Sequence, residues 1–215
     1  MIDALLHDYM TTLRDVLDRL PIDEINRVVD EILDAGERGS TIFLLGNGGS
    51  AATASHFACD LAKGTRRPGL RPFRVIALTD NVPLITAWGN DTAYDRIFAE
   101  QLRPLAQPDD LVIGISGSGN SPNVLEAIRV AREAGARTIG WTGFRGGKIK
   151  DLVDVCVIVP SDCMEQIEDT HLIMEHALCT ALRKVRSLNG SHDQPAYRDP
   201  SHQKMGTDPF VIRGA

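Results

Sequence analysis

The sequence predicts an α/β fold: a five-stranded parallel sheet with helices on both faces and two extra helices in front. Three observations predict it. Short apolar runs of strand length recur five times, each ending near glycine, proline or small polar residues. The runs are apolar at both alternating positions, as strands buried on both faces must be. Helical periodicity fills the intervals, and strands that alternate with helices imply parallel pairing.

The elements follow in order. Over residues 1–20, Leu5, Tyr9, Leu13, Val16 and Leu20 recur at spacings of three and four, the stripe of an amphipathic helix. "PIDEINRVVDEILDAGERG" reads as a second helix, with Pro21 near its start and Gly36 near its end. "TIFLLG" is too short for a helix and is the first strand. A helix follows over about 50–63, then the strand "FRVIALT", then helical segments at 82–89 and 92–104. "DLVIGIS", "RTIGWTG" and "VCVIVP" are the remaining strands. Between them lie the helix "SPNVLEAIRVAREAG" and a short helix at "GGKIKDLV"; a long helix over about 163–187 closes the pattern. Residues 1–187 make one domain. From 188 the chain turns rich in Gly, Pro, Asp, Ser and His without periodicity, and reads as a flexible or surface-draped tail. Its His192 and His202 read as solvated.

Bulk properties narrow the function. The 23 basic and 29 acidic residues give a net charge of -6, which argues against broad nucleic-acid or acidic-membrane binding. No apolar run approaches the ~20 residues of a membrane span. "MIDALLHDYM" lacks the features of a signal peptide, and Cys59, Cys156, Cys163 and Cys179 show no CxxC pairing. The expectation is a cytoplasmic protein with free thiols.

Two small-residue loops follow strands, where open parallel sheets bind ligands. "SGSGNS" offers the hydroxyls of Ser116, Ser118 and Ser121, then Pro122 at a helix start. Hydroxyls and helix N-terminal N–H groups converging there suit a phosphate. The bland alternative is a tight turn with a capping serine. "GNGGSA" has the spacing GxGxxA, but the first acidic residue after the next strand, Asp80, comes too late for a dinucleotide fingerprint.

Burial leaves some polar residues unexplained. "AATASHFACDLA" is apolar or small on nearly every side, which marks a buried helix, yet it carries His56 and Asp60 one turn apart. The pair reads either as a core or interface hydrogen bond or as half of a metal site. On the final helix Ile167, Met174, Leu178, Ala181 and Val185 form the apolar stripe. Glu168 and His176 lie off it, about 80° apart at helical periodicity, so a long Glu side chain could bring both to one point. Leu172, Ile173 and Thr180 flank them, which suggests a surface packed against another subunit. His171 points nearer the core and reads as structural. Two histidines and two carboxylates would suit Zn²⁺ or a similar divalent ion, although spacing alone does not place the two helices together.

The two N-terminal helices, "GNGGSAATASHFACDL", "WGND", "GISGSGNSPN", "TGFRGGKIKDL" and the last helix together resemble the SIS (sugar isomerase) domain family, within it the sedoheptulose-7-phosphate isomerases. The resemblance covers about residues 1–187. It implies a flavodoxin-like three-layer fold, a homotetramer with sites between subunits, and interconversion of sedoheptulose 7-phosphate and D-glycero-D-manno-heptose 7-phosphate through an enediol. Sugar-phosphate contacts would fall on Asn47, Gly48, Gly49, Asn90, Asp91, Ser116, Gly117, Ser118 and Ser121. The metal, Zn²⁺ or similar, would be held by His56, Asp60, Glu168 and His176, with Asp60 (or Glu168) and His176 moving protons. Two positions depart from the family pattern: Asp60 stands where it has Glu, and Glu168 where it has Gln. A non-catalytic branch of the fold binds a replication initiator protein; the retained His, acid, acid and His argue against that branch. Isomerisation of another sugar phosphate is the remaining alternative.

Overall fold

The computed structural model describes residues 1–189. The expected tail therefore lies outside the described residues from 190 onward, with its His192 and His202. Five strands form one parallel sheet: β1 (Thr41–Gly46), β2 (Arg74–Ala77), β3 (Leu111–Ile115), β4 (Arg137–Thr142) and β5 (Val155–Ile158). Their order is β2-β1-β3-β4-β5. This is the flavodoxin-like arrangement, and its chain direction of travel reverses between β1 and β3.

Side chains on a strand alternate between faces, so an all-apolar strand feeds two cores. Ile42 and Leu44 of β1, with Ile113 and Ile115 of β3 and Trp141 of β4, enter one core. Phe43 and Leu45 of β1, with Val112 of β3, enter the other. The first core is covered by α1 (Ile2–Asp18), α2 (Ile22–Arg38), α3 (Gly49–Cys59) and α7 (Met164–Asn189). The second is covered by α5 (Ala99–Leu102) and α6 (Pro122–Glu133). The remaining helix, α4 (Val82–Asp91), buries none of its residues.

Four expectations need correction. The stripe of α1 is real, but only Val16 is buried, and Leu5 is exposed. The helix expected at 92–104 is broken. Thr92 turns out of α4 with φ −126° and ψ −93°, its backbone N–H and its hydroxyl both on the Trp88 carbonyl, at 3.0 and 2.6 Å. A 3₁₀ turn, Tyr94–Arg96, and the four-residue α5 follow. "GGKIKDLV" makes only the 3₁₀ turn Ile149–Asp151. Finally, α3 is not buried all round: His56 and Cys59 are exposed on one side, and beyond Cys59 the helix widens to a π-helical turn, Asp60–Gly64.

A candidate anion cradle and metal centre

The loops after β1 and β3 meet at the point where the strand order reverses, where an open α/β sheet leaves a crevice. Two asparagines tie them together. Asn47 Nδ2 donates to Asn123 Oδ1 and Asn123 Nδ2 donates back to Asn47 Oδ1, both at 2.8 Å. Tyr94 Oη donates to the same Asn47 oxygen at 3.3 Å. The crevice between the loops is lined by Asn47, Ser50, Ser116, Gly117, Ser118 and Ser121, with Met164 and Glu168 from α7.

The serine loop is a candidate anion cradle. Gly119 has φ +64°, and a Cβ there would lie 2.2 Å from the Gly146 carbonyl oxygen. Only glycine closes this turn, whose Gly119 N–H bonds the Ser116 carbonyl at 2.8 Å. Ser121 stands at the N-cap of α6 as expected, but its hydroxyl makes no cap; it pairs with Ser116 Oγ at 3.0 Å. Pro122 opens α6 without an N–H, and Val124 N–H is taken by Asn123 Oδ1 at 2.9 Å, so the two hydroxyls beside the Asn123 end of the helix are the groups suited to phosphate oxygens.

A second group of side chains lies along the α3–α7 interface. One ligand atom each from His56, Asp60, Glu175 and His176 lies within 4.8 Å of every other. His56 Nε2 is 3.9 Å from Asp60 Oδ1, and the two imidazole rings meet edge to face with centroids 4.9 Å apart. His56 and His176 are about half exposed (side chains 45% and 51%) and Asp60 34%, whereas Glu175 is fully buried. Glu175 Oε2 makes no hydrogen bond and lies 3.3 Å from His176 Nε2. Burial pushes its carboxyl above the usual carboxylate range; His176 and His56 pull it back and Asp60 adds to the rise. Two imidazoles and two carboxylates at this separation form a donor set that fits a four-coordinate divalent ion, and an orphaned buried carboxylate oxygen fits one better than it fits a plain core.

The structure brings His56, Asp60 and His176 together and sets Glu168 apart. Glu168 packs against the first turn of α3, where a Cβ on Gly49 would lie 2.5 Å from its Oε2. The helices α3 and α7 run in the same direction, Gly49 beside Glu168 and His56 beside His176. Seven residues along α3 place the cradle end and the metal-type group about 10 Å apart. Of the expected sugar-phosphate residues, Asn47, Ser116, Gly117, Ser118 and Ser121 line the crevice. Gly48 faces open space. Asn90 and Asp91 end α4, exposed and hydrogen-bonded to each other at 2.8 Å, outside the crevice lining.

Sequence reasoning missed Glu175, Asn123 and Tyr94. Glu175 had a signal: an acid beside Met174 and Leu178 on the apolar side of a helix, seven residues from Glu168. His171 is buried in the core beside Trp141, as its position on the stripe implied.

Comparison with known proteins bears on this geometry. The SIS domain family pattern matches residues 8–143. A phosphoheptose isomerase of Aliarcobacter butzleri is 45% identical over 159 residues, covering 74% of this chain and 82% of that protein. The structure of a phosphoheptose isomerase from Neisseria gonorrhoeae superposes with a TM-score of 0.80 at 29% identity, covering 86% of this chain and all of that one. One from Francisella tularensis gives 0.78 at 30% identity, covering 85% and 96%.

Proposed function

The chain belongs to the SIS domain family, among its phosphoheptose isomerases, and on that premise we propose that it converts sedoheptulose 7-phosphate to D-glycero-D-manno-heptose 7-phosphate. The observation that carries the reading is the separation of the two halves of the site. An anion cradle lies about 10 Å, two helical turns, from a cluster of proton-transfer and metal-type groups. An extended seven-carbon sugar with a terminal phosphate has the length to touch both.

The reaction moves hydrogen between C1 and C2 of one molecule, with no oxidant or reductant. The C1–H bond breaks and C1=C2 forms as the C2 carbonyl oxygen takes a proton, giving the enediol. The proton then returns at C2 and the O1 hydroxyl is deprotonated to the aldehyde. We assign carbon-proton transfer to the Asp60 carboxylate and oxygen-proton transfer to His176. Both side chains are partly open to solvent at the group, so a sugar can reach them. The serine loop and the N-terminus of α6 hold the phosphate, so that binding energy at the far end orients the reacting carbons. His56, Asp60 and His176 would hold a divalent cation, best Zn²⁺, together with a fourth donor from α7. Such an ion, when bound, supplies Lewis-acid polarisation of the sugar carbonyl.

The chain is further read as a cytoplasmic homotetramer. Its four cysteines are unpaired, and no helix of the described residues is long and apolar enough to cross a membrane. Ile2, Leu5, Leu6 and Met10 expose an apolar face of α1 that a second copy would cover. The test of function is incubation of folded protein with sedoheptulose 7-phosphate, with and without Zn²⁺. Appearance of the heptose 7-phosphate supports the reading; no product under either condition overturns it. Sedimentation at a tetramer's mass checks the assembly.

A further inference from the structure

We propose that Asn123, buried behind the crevice, is a positioning residue: it turns the Asn47 amide so that one N–H is left over for an oxygen of the bound sugar phosphate. The inference rests on the reading of the crevice as the sugar-phosphate site, and it adds a residue that does not itself line that crevice.

Anchorage comes first. Among residues 46–49 only Asn47 carries a side chain, so its amide is the one side-chain hold that this glycine-rich stretch can have. Gly46 is packed tightly, since a Cβ there would lie 2.8 Å from Ser50 Cβ and 2.9 Å from the Ile115 carbonyl oxygen. Gly48, at φ +55°, faces open space. Asn47 therefore stands where the chain leaves its packed strand end. Asn123 meets it from the first turn of α6, is 1% exposed, and holds it by the reciprocal pair of 2.8 Å bonds.

Polarity comes second. A backbone N–H can only donate. That of Val124 is bonded to Asn123 Oδ1 at 2.9 Å, which fixes this atom as the acceptor and makes Asn123 Nδ2 the donor toward Asn47. Asn47 Oδ1 must then accept, and Asn47 Nδ2 must face Asn123 Oδ1. Tyr94 Oη also donates to Asn47 Oδ1, at 3.3 Å. An amide side chain has two N–H groups and two acceptor lone pairs. Both lone pairs of Asn47 and one of its N–H groups are spent, and the second N–H has no protein partner among the described residues. Asn47 lines the crevice, so what its side chain offers a ligand there is a donor and not an acceptor. A phosphate or sugar oxygen accepts that bond.

The third point is what such a pair does that packing would not. Two amide hydrogen bonds add about 1 kcal/mol each to stability, whereas one buried amide left without its partner costs about 1–3 kcal/mol. Apolar side chains would tie the two loops together without that liability, but they could not orient a donor. Ser121 lies two residues before Asn123 and pairs with Ser116, so the same link fixes the Asn47 donor relative to the hydroxyls of the serine loop.

The test is a double-mutant cycle on the full-length protein, read as the Kd for sedoheptulose 7-phosphate by isothermal titration calorimetry. Asn47→Ala removes the donor, and Asn123→Ala removes what aims it. Each single change is expected to weaken binding about tenfold, the loss of one hydrogen bond to a charged or strongly polar group. The double variant is expected to bind within about twofold of Asn47→Ala, because Asn123 acts only through Asn47. Thermal melting, followed in parallel, is expected to fall on Asn123→Ala in both backgrounds, since the bond to Val124 is lost in both. The affinity should fall only where Asn47 is present, a split that a merely structural role would not produce. Equal weakening by Asn123→Ala in both backgrounds, unchanged affinity in either single variant, or no binding by the wild type overturns the proposal. Should Asn123→Ala fail to fold, a crystal of the wild type with the sugar phosphate decides. Asn47 Nδ2 at about 2.7–3.2 Å from a ligand oxygen, with the asparagine pair intact, supports it. A turned Asn47 amide, or no ligand oxygen on it, overturns it. Binding is read apart from turnover. Sugar that binds without being converted defeats the isomerase reading and leaves the cycle to judge Asn123, while conversion with additive variants defeats the positioning role alone.

Discussion

His171 is held neutral by the core, and that makes stability depend on pH in a defined window. Its ring is 1% exposed, packed 6.0 Å from Trp141, and neither ring nitrogen makes a well-aligned hydrogen bond. Burial lowers its pKa from 6.5 to about 4, with the Thr142 backbone opposing weakly. In the unfolded chain the ring takes a proton below about pH 6.5; in the folded chain it stays neutral until about pH 4. Between those values the unfolded state binds more protons, so stability is fully present above the window and falls as the pH falls through it. At 1.36 kcal/mol per pH unit the whole gap is worth about 3 kcal/mol, of which about 2 kcal/mol is lost by pH 5. Urea unfolding of the wild type and of His171→Gln at about pH 7.5 and about pH 5 isolates this share from other titrations. The wild type is expected to lose about 2 kcal/mol more than the variant. Parallel losses would refute the reasoning. So would a wild-type NMR titration in which the His171 ring protonates near its ordinary value in folded protein, a measurement that needs no variant.

Other expectations follow from the cradle and the ion. Gly119→Ala places a Cβ 2.2 Å from Gly146 O at φ +64°, where nothing flexible can move aside. The left-handed backbone alone costs about 1–2 kcal/mol. A loop shift of about 1 Å should lower kcat/KM about 100-fold, with thermal melting and steady-state kinetics as the readouts. Ser116→Ala removes one hydroxyl from the crevice proposed to hold the phosphate. KM is expected to rise about tenfold with kcat nearly unchanged, the loss of one hydrogen bond to a charged group; an unchanged KM would put the phosphate elsewhere. Stripping the metal with a chelator should abolish activity and lower the melting temperature, and zinc at a hundred times its Kd should restore about 2.7 kcal/mol. A protein whose activity and melting curve ignore both treatments has no ion at that site.

What was legible in the sequence is what depends on local pattern. In "TIFLLG" every residue is apolar, and the sheet reads them alternately, Ile42 and Leu44 to one core, Phe43 and Leu45 to the other. The serine loop was legible as a strand-to-helix turn, because Pro122 after Ser121 marks the start of a helix wherever the loop sits. Thr92 shows the first limit: the backbone leaves the helix there, at φ −126° and ψ −93°, where the residue pattern carries no stop signal. The metal centre shows the second. Glu168 and His176 share no more than a helix, and their distance to His56 depends on how far α7 slides along α3. Periodicity gives the angle around a helix axis and nothing of the offset between two axes. In the structure that offset is recorded at Gly49. With no Cβ there, the Glu168 carboxylate packs onto the first turn of α3, and two turns further on Glu175 and His176 stand level with His56 and Asp60. A Cβ at position 49 would meet the Glu168 carboxylate, the far end of a flexible and partly exposed side chain, and displace it from the first turn of α3. Gly49 thus marks the offset between the two helices, and it is that offset, invisible in either helix alone, that decides which acid of α7 meets the histidines.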